Sequence, residues 1–231
     1  MTLKDYFIEY KLNNENIEDF EKFRKFLLEY NKITNITRIV DEDEFNVKHY
    51  LDSLSIFKTG LIRDNMKILD LGTGGGFPGV PLKLYKKDLD ISLVDSLNKR
   101  IVFLNKAIEE LNLKNIKAIH ARAEELAFDK DYREKFQLVT SRAVARLRTL
   151  LEYALPFVEV GGFFIAMKGP EYNEEIKEVS NTFNILGGKL IEVMEIDLPL
   201  DIKHYLLITK KIKPTPMKYP RQGGKPKSKP L

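Results

Sequence analysis

Short apolar runs alternate with amphipathic segments between residues 65 and 210. The runs have the length of strands, whereas the segments between them carry apolar residues at helical spacing. This pattern predicts strands over residues 66–71, 90–95, 115–119, 136–141, 161–168, 189–196 and 203–210. It predicts helices near residues 78–87, 98–112, 122–127, 147–157 and 171–186. Such alternation indicates an α/β fold with a mostly parallel seven-stranded sheet and helices on both faces. The last two strands have no helix between them and are predicted to form an antiparallel edge.

The first 60 residues have a helical pattern of their own. Apolar residues recur at spacings of three and four within residues 2–30, at Ile17, Phe20, Phe23, Phe26, Leu27 and Tyr30. A second helix is predicted from Asp43 to about Phe57, with Asp41 or Asp43 as its N-cap. We expect residues 1–60 to form a helical extension packed on the core. His49 lies on the second helix and is expected to be a partly buried histidine with satisfied hydrogen bonds.

The most informative stretch runs from Lys67 to Gly79, across the end of the first predicted strand. Four of the five residues from Gly72 to Gly76 are glycine. Glycine is needed where the backbone takes a positive φ or where a ligand approaches the main chain closely. We therefore predict a tight turn that opens a helix. Gly74, Gly76 and Gly79 also match GxGxxG, which by itself is weak evidence for a nucleotide site.

Two acids at successive strand ends sharpen that prediction. Asp70 precedes the first glycine by two residues, and Asp95 ends the second strand 25 residues later. In dinucleotide-binding domains the turn presents backbone amides to a pyrophosphate, which a neighbouring carboxylate would repel. A carboxylate suits a cationic ligand, such as the amino group and sulfonium of S-adenosylmethionine. An acid at the second strand end is placed for ribose hydroxyls. The alternative for Asp95 is that it only caps the following helix.

Composition limits the class of protein. The 231 residues, 43% of them hydrophobic, suffice for one domain with extensions and a sizeable core. The absence of cysteine excludes disulfides, cysteine-ligated zinc and a thiolate nucleophile. No apolar run approaches the roughly 20 residues of a membrane span, and the acidic, polar N-terminus is unlike a signal peptide. We expect a cytoplasmic protein that does not bind a membrane.

The formal net charge of +4 is concentrated at the C-terminus. Residues 210–231 carry eight Lys or Arg and no acid, which leaves the first 209 residues at −4. A local basic patch is typical of contact with a polyanion such as RNA. Prolines and glycines make a solvated, disordered tail the competing interpretation. The predicted organisation is thus an extension over 1–60, a core domain over 61–212 and a basic tail over 213–231.

Ligands of parallel sheets bind outside the carboxyl ends of the strands. The residues after the predicted strands are Gly72 to Phe77, Asp95, Arg122 to Glu124, Ser141-Arg142 and Lys168 to Pro170. Three arginines, Arg142, Arg146 and Arg148, lie beside this edge. Their planar guanidinium suits recognition of phosphates and bases. Cations are unfavourable at a helix N-terminus unless something compensates them, which favours a functional role over a solvated helix start.

Several segments together resemble one protein family. They are Tyr30–Thr34, His49–Leu54, Leu69–Pro81, Asp95–Arg100, Arg122–Glu125, Thr140–Ala143 and the closing stretch from Pro220 to Leu231. They resemble the GidB/RsmG family, bacterial methyltransferases that act on N7 of a guanine in 16S ribosomal RNA. The resemblance covers nearly the whole chain in order, and Gly-Phe-Pro-Gly with Ser-Arg-Ala is specific beyond the generic methyltransferase fold. The chain departs mildly at Lys32-Ile33-Thr34, where the family usually has Asn-Leu-Thr, and at Gly75, where Ala or Pro is frequent.

The resemblance implies a class I S-adenosylmethionine methyltransferase fold, which is Rossmann-like, with S-adenosyl-L-methionine as cofactor and the 16S rRNA of the 30S subunit as partner. Together with the glycine turn, it predicts cofactor contacts at Gly72, Gly74, Gly76, Phe77, Asp95, Ala123, Glu124 and Arg142. The residues predicted to contact RNA are Arg146, Arg148, Lys168, Arg221 and Lys225. No residue is predicted to bind a metal ion, and we expect a monomer.

Guanine N7 carries a lone pair and no proton, so its methylation needs no general base. Consistent with this, we find no histidine or cysteine at a strand end in the predicted pocket. The Asn/Asp-Pro-Pro-aromatic segment typical of methylation at exocyclic amines is also missing after the fourth strand. Catalysis is therefore predicted to rest on positioning, with the target base unstacked or in a loop.

Individual roles follow from this picture. Glu124 would read the adenine side of the cofactor, and Asp70 would shape the turn or bind the amino group. Arg142 would contact the cofactor carboxylate or an RNA phosphate, and it is the one residue kept as a contributor to catalysis. No residue is predicted to act as a chemical acid or base.

Two other functional classes stay open from the sequence. One is a methyltransferase acting on a protein or a small molecule, which needs no basic tail. The other is a non-catalytic rRNA-binding protein with a vestigial cofactor pocket. If the tail binds RNA, deleting residues 213–231 is predicted to weaken RNA modification more than cofactor affinity. Equal loss of both would make the tail structural.

Overall fold

The computed structural model describes all residues from Met1 to Leu231. The helices are α1 (Leu3–Glu9), α2 (Ile17–Thr34), α3 (Glu42–Phe45), α4 (Asp52–Leu54), α5 (Gly79–Tyr85), α6 (Asn98–Glu110), α7 (Ala123–Leu126), α8 (Leu147–Ala154), α9 (Tyr172–Lys177), α10 (Ser180–Leu186) and α11 (Lys225–Ser228). The strands are β1 (Lys67–Leu71), β2 (Asp90–Asp95), β3 (Ile116–His120), β4 (Phe136–Arg142), β5 (Val158–Lys168), β6 (Gly188–Leu198) and β7 (Ile202–Lys211). A π-helical turn, Asn46–Leu51, joins α3 to α4, and 3₁₀ turns cover Ser55–Thr59 and Leu155–Phe157.

All seven strands form one sheet in the order β3-β2-β1-β4-β5-β7-β6. The first five of these are parallel, and β7 runs antiparallel to both β5 and β6. The predicted α/β fold with an antiparallel C-terminal edge is therefore confirmed. The order of strands reverses between β1 and β4. Such a switch point opens a crevice at the carboxyl ends of the strands, where ligands bind in sheets of this kind.

The sheet carries a hydrophobic core on each face because successive strand residues point to opposite sides. In β1, Ile68 belongs to one core, whereas Leu69 and Leu71 belong to the other. The first core lies under the N-terminal helices, α5 and α6, and the second lies under α8 and α10. Two covered faces explain why the strands read as nearly continuous apolar runs.

The N-terminal 60 residues share the first core rather than forming their own. Phe23 of α2 lies 5.8 Å from Phe77 and 6.4 Å from Phe103, measured between ring centroids. The pattern within residues 2–30 belongs to two helices, since α1 ends before Lys11, whose φ is +54°. The predicted 171–186 helix is likewise divided, because Val179 leaves helical geometry and is fully buried.

The second predicted helix extends as one helical stretch from Glu42 to Thr59. The side chain of Asp41 accepts a hydrogen bond from the Glu44 amide at 2.9 Å, so Asp41 is the N-cap. The π-helical turn, a feature frequent at functional sites, contains His49 and ends next to Asp52. This stretch brings both side chains to the carboxyl edge of the sheet.

No helix of the protein is both long enough and apolar enough to cross a lipid bilayer.

Candidate active site

The glycine turn after β1 is held by its own backbone. The amides of Gly72 and Thr73 both donate to the carbonyl oxygen of Val94, at 2.8 and 3.1 Å. The amides of Gly76 and Phe77 donate to the Thr73 carbonyl, both at 2.9 Å. The amides that a pyrophosphate would need are thus already engaged. This distinguishes the turn from a dinucleotide-binding loop.

Asp70 shapes this turn from beneath. Its side chain is fully buried, and Oδ2 accepts hydrogen bonds from Thr73 Oγ1 at 2.7 Å and from the Gly79 amide at 2.8 Å. Burial raises the pKa of the Asp70 carboxyl to about 6, although both hydrogen bonds act in the opposite direction. Of the two roles predicted for Asp70, the contacts favour shaping the turn.

A cavity of about 320 Å³ opens at the ends of β1, β2 and β3. We call it the first cavity; its walls include Leu71, Gly72, Val94, Asp95, Ser96, Ala121, Arg122, Ala123, Glu124, Val144, Tyr153 and Lys227. Its volume falls within the roughly 300–1,000 Å³ typical of small-molecule sites. Apolar walls with two carboxylates suit an adenosyl group, whose ring is flat and whose hydroxyl and amino groups donate hydrogen bonds.

Asp95 is buried and already accepts three hydrogen bonds. Oδ2 accepts from the Gly74 amide and from Arg100 Nη1, both at 3.0 Å, and Oδ1 accepts from the Leu97 amide at 2.9 Å. The Leu97 contact closes a turn before α6 but does not cap that helix, whose N-cap residue is Leu97, so the alternative role predicted for Asp95 is wrong. Because a carboxylate offers about four acceptor sites, one site remains for a ligand hydroxyl.

Glu124 lies at the start of α7 and is buried to all but 8% of its surface. The tail residue Gln222 bonds only its main-chain oxygen, so the carboxylate stays available on the cavity wall. A buried acceptor of this kind calls for a hydrogen-bond donor. The exocyclic amine or ribose of an adenosyl group would supply one.

Half of the predicted cofactor contacts line the first cavity, namely Gly72, Asp95, Ala123 and Glu124. Gly74, Gly76, Phe77 and Arg142 do not line it, and contact at those positions stays a prediction. The ring of Phe77 is buried and stacks on His49, with centroids 4.1 Å apart and planes 7° apart. The side chain of Phe77 therefore supports the neighbouring part of the site.

A second cavity of about 550 Å³ lies beside the first, across the ends of β4, β5 and β7. Its walls include Asp52, Arg142, Ala143, Val144, Ala145, Arg146, Leu150, Met167, Lys168, Gly169, Glu175, Ile202, Lys203 and His204. Val144 belongs to both cavities. A Cβ atom at Gly72 would overlap the Val144 side chain, so the missing side chain at Gly72 leaves room for this shared wall.

Arg142 is the centre of the polar network in the second cavity. Nη1 donates to Asp52 Oδ2 at 2.6 Å and to the Lys48 carbonyl at 2.7 Å, and Nη2 donates to His49 Nδ1 at 3.0 Å. Its guanidinium carbon lies 5.3 Å from the centroid of the Phe77 ring, within the range of a cation–π contact. Three of the five guanidinium donors are used within the chain, and two remain for a ligand.

His49 is buried and satisfied, as expected from the sequence. Nε2 lies 3.0 Å from Thr37 Oγ1, and Nδ1 accepts from Arg142, so the hydrogen bonds assign the proton to Nε2. Burial, and then the charges of Arg142 and Lys48, lower the pKa of His49 to about 3. The ring is therefore neutral near pH 7.

The expectation that no histidine lies at a strand end in the pocket is wrong. His204, near the start of β7, lines the second cavity and pairs with Asp52. The strand β7 is antiparallel to its neighbour β5. The first residues of β7 therefore pair with the last residues of β5, at the edge where the parallel strands end. Its first residues, rather than its last, thus face the ligand. Burial raises the pKa of Asp52, although the contacts with Arg142 and His204 act in the opposite direction.

Sequence reasoning missed Asp52, Val144 and His204. A signal for Asp52 did exist, since it lies within the matching segment His49–Leu54 and three residues after His49 on a helix. No local signal pointed to His204. Its position depends on the pairing of β7 with β5, which is set by residues distant in the chain.

The residues predicted to bind RNA have different surroundings. Arg146 lies on the second cavity and pairs with Glu178 at 2.8 Å, while Arg148 lies 3.7 Å from the same carboxylate. Lys168 lines the second cavity, bonded to Glu175 at 2.6 Å. Arg221 is engaged by the buried Glu152, and Lys225 is exposed. RNA contact at these positions stays a prediction.

Comparison with known proteins agrees with this geometry. Residues 16–202 match the family model GidB, described as rRNA small subunit methyltransferase G. The chain is 45% identical over 234 residues to ribosomal RNA small subunit methyltransferase G of Alkaliphilus metalliredigens, covering 100% of this chain and 98% of the relative. It is 48% identical over 222 residues to the protein of that name from Acetivibrio thermocellus, covering 95% and 90%.

Solved structures with similar folds include a SAM dependent methyltransferase from Aquifex aeolicus. The TM-score is 0.57 at 16% identity, over 77% of this chain and 97% of that one. A second is M. jannaschii TYW2 in complex with AdoMet, with a TM-score of 0.54 at 17% identity, over 70% and 77%. At these identities the likeness concerns the fold alone, which is that of an S-adenosylmethionine-dependent methyltransferase.

Proposed function

The chain belongs to the GidB family of rRNA small subunit methyltransferase G proteins, and on that premise we propose that it methylates N7 of a guanine in 16S ribosomal RNA. The observation that carries the proposal is the pair of adjoining cavities with Val144 as their common wall. A methyl donor in one and a base in the other would meet at that wall. Family membership does not favour a protein or small-molecule substrate, or a protein that only binds rRNA.

The first cavity is the site we assign to S-adenosylmethionine. Its residues fit the group, because about half of the walls are apolar and the buried acceptors Asp95 and Glu124 lie among the polar residues. Asp95 would take a ribose hydroxyl with its remaining acceptor site, and Glu124 would take the amino group of adenine. When bound, the cofactor would supply an electrophilic methyl group attached to its sulfonium, and the electrons of the broken C–S bond would stay on sulfur.

The second cavity is the site we assign to the target base. Arg142, Arg146, Lys168 and Lys203 supply cationic groups to its walls beside the carboxylates Asp52 and Glu175, and contact with an RNA segment requires cationic groups. An arginine that held both O6 and N7 of guanine would block attack by N7. We therefore assign at most one free donor of Arg142 to guanine O6, which leaves the N7 lone pair free to face the first cavity.

The protein residues act by binding and orientation. N7 has no proton to remove, so Asp52 and His204 need not act as a base. Asp52 holds Arg142 from one side, His49 holds it from another, and Phe77 lies under its face. A guanidinium fixed in this way loses little conformational entropy when it binds the base. Positioning of the reacting groups alone can lower the activation barrier of methyl transfer substantially.

The domain arrangement and partners complete the proposal. We assign residues 61–212 to the methyltransferase domain, residues 1–60 to a helical extension that supplies Asp52 and His49, and residues 213–231 to a C-terminal segment. The RNA substrate is the small ribosomal subunit or its 16S rRNA, and the protein acts as a monomer in the cytoplasm.

The test is transfer of labelled methyl groups from S-adenosylmethionine to unmethylated 30S subunits, to naked 16S rRNA and to bulk protein. Label in RNA, with strand scission at one guanine after reduction and aniline treatment, is the expected result. Subunits methylated to completion in a first round should accept no further label. Label in protein, or label in RNA without scission at guanine, would overturn the proposal.

A further inference from the structure

The C-terminal tail, residues 213–231, folds back onto the protein. Arg133 donates to the carbonyl oxygens of Thr215 at 2.9 Å and Tyr219 at 3.0 Å. Thr215 and Tyr219 are buried, the latter in the second core. The tail is therefore fixed to the domain from its first residues. The disordered tail considered from the sequence does not describe this arrangement.

Arg221 attaches the tail to α8. Its Nε and Nη2 donate to Glu152 Oε1 at 2.9 Å and Oε2 at 2.7 Å, and its amide donates to Oε1 at 2.7 Å. Glu152 is fully buried, and a buried carboxylate that loses its partner is strongly destabilising. The guanidinium is thus committed to an intramolecular pair, which argues against the predicted RNA contact at Arg221.

One of the last ten residues, Lys227, lines the first cavity. The side-chain amide of Gln222 donates to the main-chain oxygen of Glu124, and Thr149 Oγ1 donates to the Pro226 carbonyl at 3.0 Å. Pro226 is buried against α8, and Lys227, the next residue, contributes to the wall of the first cavity. The tail reaches the same side of the cavity as Glu124.

We propose that the tail is a wall of the cofactor site, in which Lys227 covers the adenosyl group and Gln222 positions Glu124. This inference rests on the assignment of the first cavity to S-adenosylmethionine. The aliphatic stem of a lysine covers apolar surface while its ammonium stays in water, so Lys227 would shield the flat ring without closing the cavity permanently. The ammonium also offsets the negative charge of Asp95 and Glu124.

The proposal reverses the effect expected of the tail from the sequence. A tail that served only RNA would leave cofactor affinity unchanged when altered. A tail that is a wall of the first cavity should lower cofactor affinity when altered at Lys227 and not at a neighbouring lysine. Lys229 is a matched control, since it is exposed, lies two residues away and does not line the cavity.

The first experiment titrates S-adenosylhomocysteine into the full-length wild type, Lys227→Ala and Lys229→Ala by calorimetry. We expect Kd to rise about tenfold for Lys227→Ala, equivalent to about 1.4 kcal/mol, and to stay within twofold of wild type for Lys229→Ala. Equal Kd values for all three proteins would overturn the inference while leaving the proposed function intact. A wild type that binds no cofactor would instead remove the proposed function itself.

The second experiment needs no variant and measures whether bound ligand protects the tail from proteolysis. Within the tail, trypsin should cut after Lys218, Arg221 and Lys227, whereas Lys213, Lys225 and Lys229 precede proline and resist cleavage. If the bound cofactor needs the tail in place, ligand at 100 times its Kd should slow these cuts by up to about 100-fold. Cleavage at the same rate with and without S-adenosylhomocysteine would contradict the inference.

Discussion

The two cavities share a wall and differ in almost everything else. The first is built mainly from residues that follow β1, β2 and β3, with Val144, Tyr153 and Lys227 completing its walls, and its buried charged groups are carboxylates. The second joins a helical turn from the N-terminal extension to the ends of β4 and β7, and its charges are mainly basic. The comparison teaches that most of the cofactor side follows three neighbouring strands, whereas the base side exists only after distant segments have assembled.

The cavities also differ in how their charges are held. Asp95 is held by one amide of the glycine turn and one of its own turn, with Arg100 as its one charged partner. Asp52 contacts the cation Arg142 and the imidazole of His204, and all three side chains are largely buried. Removing one member of a buried pair leaves an uncompensated charge. We therefore expect the second cavity to be the more fragile of the two.

The largest expected effect follows from neutralising Asp52. In Asp52→Asn, the largely buried guanidinium of Arg142 loses its counterion and His204 loses its partner, which should lower the unfolding free energy by about 3–5 kcal/mol. Displacement of Arg142 should reduce RNA methylation by about 100-fold, while Kd for S-adenosylhomocysteine stays within about twofold of wild type. Glu44→Gln, which removes a surface partner of Lys48, is the control. A comparable loss of cofactor affinity in Asp52→Asn would contradict the division between the cavities.

The next effect should appear at the shared wall. Gly72 has φ +73°, and a Cβ there would overlap Val144. Gly72→Ala should therefore cost about 1–2 kcal/mol for the left-handed backbone and a further 1–3 kcal/mol or so for overpacking. Both cofactor affinity and RNA methylation should fall. The double variant Gly72→Ala/Val144→Ala should recover the overpacking part and leave the backbone cost. Thermal melts and cofactor titrations of both variants measure this, and no recovery would show that Val144 is not the contact that matters.

A smaller effect should be confined to the first cavity. Glu124→Gln keeps the shape of the side chain and removes a charged acceptor, and hydrogen bonds to charged groups contribute about 1.5–3 kcal/mol. Kd for S-adenosylhomocysteine should rise at least about tenfold, with RNA affinity unchanged in filter-binding assays. Glu125→Gln, on the exposed side of α7, is the control. Unchanged cofactor binding in Glu124→Gln would remove this residue from the proposed site.

The same contrast explains what could be predicted from the sequence. Gly72, Asp95 and Glu124 follow parallel strands, so their convergence needed only the order of elements along the chain. Their neighbour Phe77 was harder, because its backbone belongs to the turn while its ring enters the N-terminal core. The pattern of strands was enough to predict where the first cavity lies. Side-chain packing, which that pattern does not give, decides which residues face it.

The second cavity was less accessible to such reasoning. His204 reaches it because β7 runs antiparallel, and Asp52 reaches it through the π-helical turn before α4. Neither the register of a hairpin nor a π-helical turn follows from hydrophobic periodicity, which sets only the period of each element. Ion pairs such as Arg221 with Glu152 are equally hidden, since the partners are 69 residues apart.

A pH-dependent effect would sharpen the comparison further. The pKa of His49 is lowered to about 3, so between that value and the ordinary 6.5 the unfolded chain binds more protons than the folded one. Stability from His49 is thus lost as the pH falls below 6.5, by at most about 1.4 kcal/mol per pH unit. Asp70, with its pKa raised to about 6, has the opposite sign, because its contribution is present at low pH and lost as the pH rises.

Asp70 contributes equally to the pH dependence of the unfolding free energy in wild type and in His49→Gln. Its contribution therefore cancels when the two proteins are compared. Urea unfolding at pH 7, 6 and 5 should show that wild type loses stability more steeply with acid than His49→Gln, which starts lower because the stack on Phe77 is lost. His120→Gln removes an exposed imidazole as the control. Parallel slopes for wild type and His49→Gln would mean that His49 is not buried in its neutral form.

The smallest effect is expected at Arg148, which shares Glu178 with Arg146, a wall residue of the second cavity. Arg148 is 41% exposed on its side chain, and its contact with Glu178 is a surface pair worth about 0–1 kcal/mol. Arg148→Gln should therefore leave stability and cofactor affinity unchanged. If Arg148 meets a phosphate of single-stranded RNA, the slope of log K against log salt should become shallower by about 0.7. Arg63→Gln is a matched control, because Arg63 is exposed and precedes β1, at the opposite edge of the sheet. Equal salt slopes for the two variants would place the RNA elsewhere, whereas a change confined to Arg148 would extend the second cavity into an RNA path.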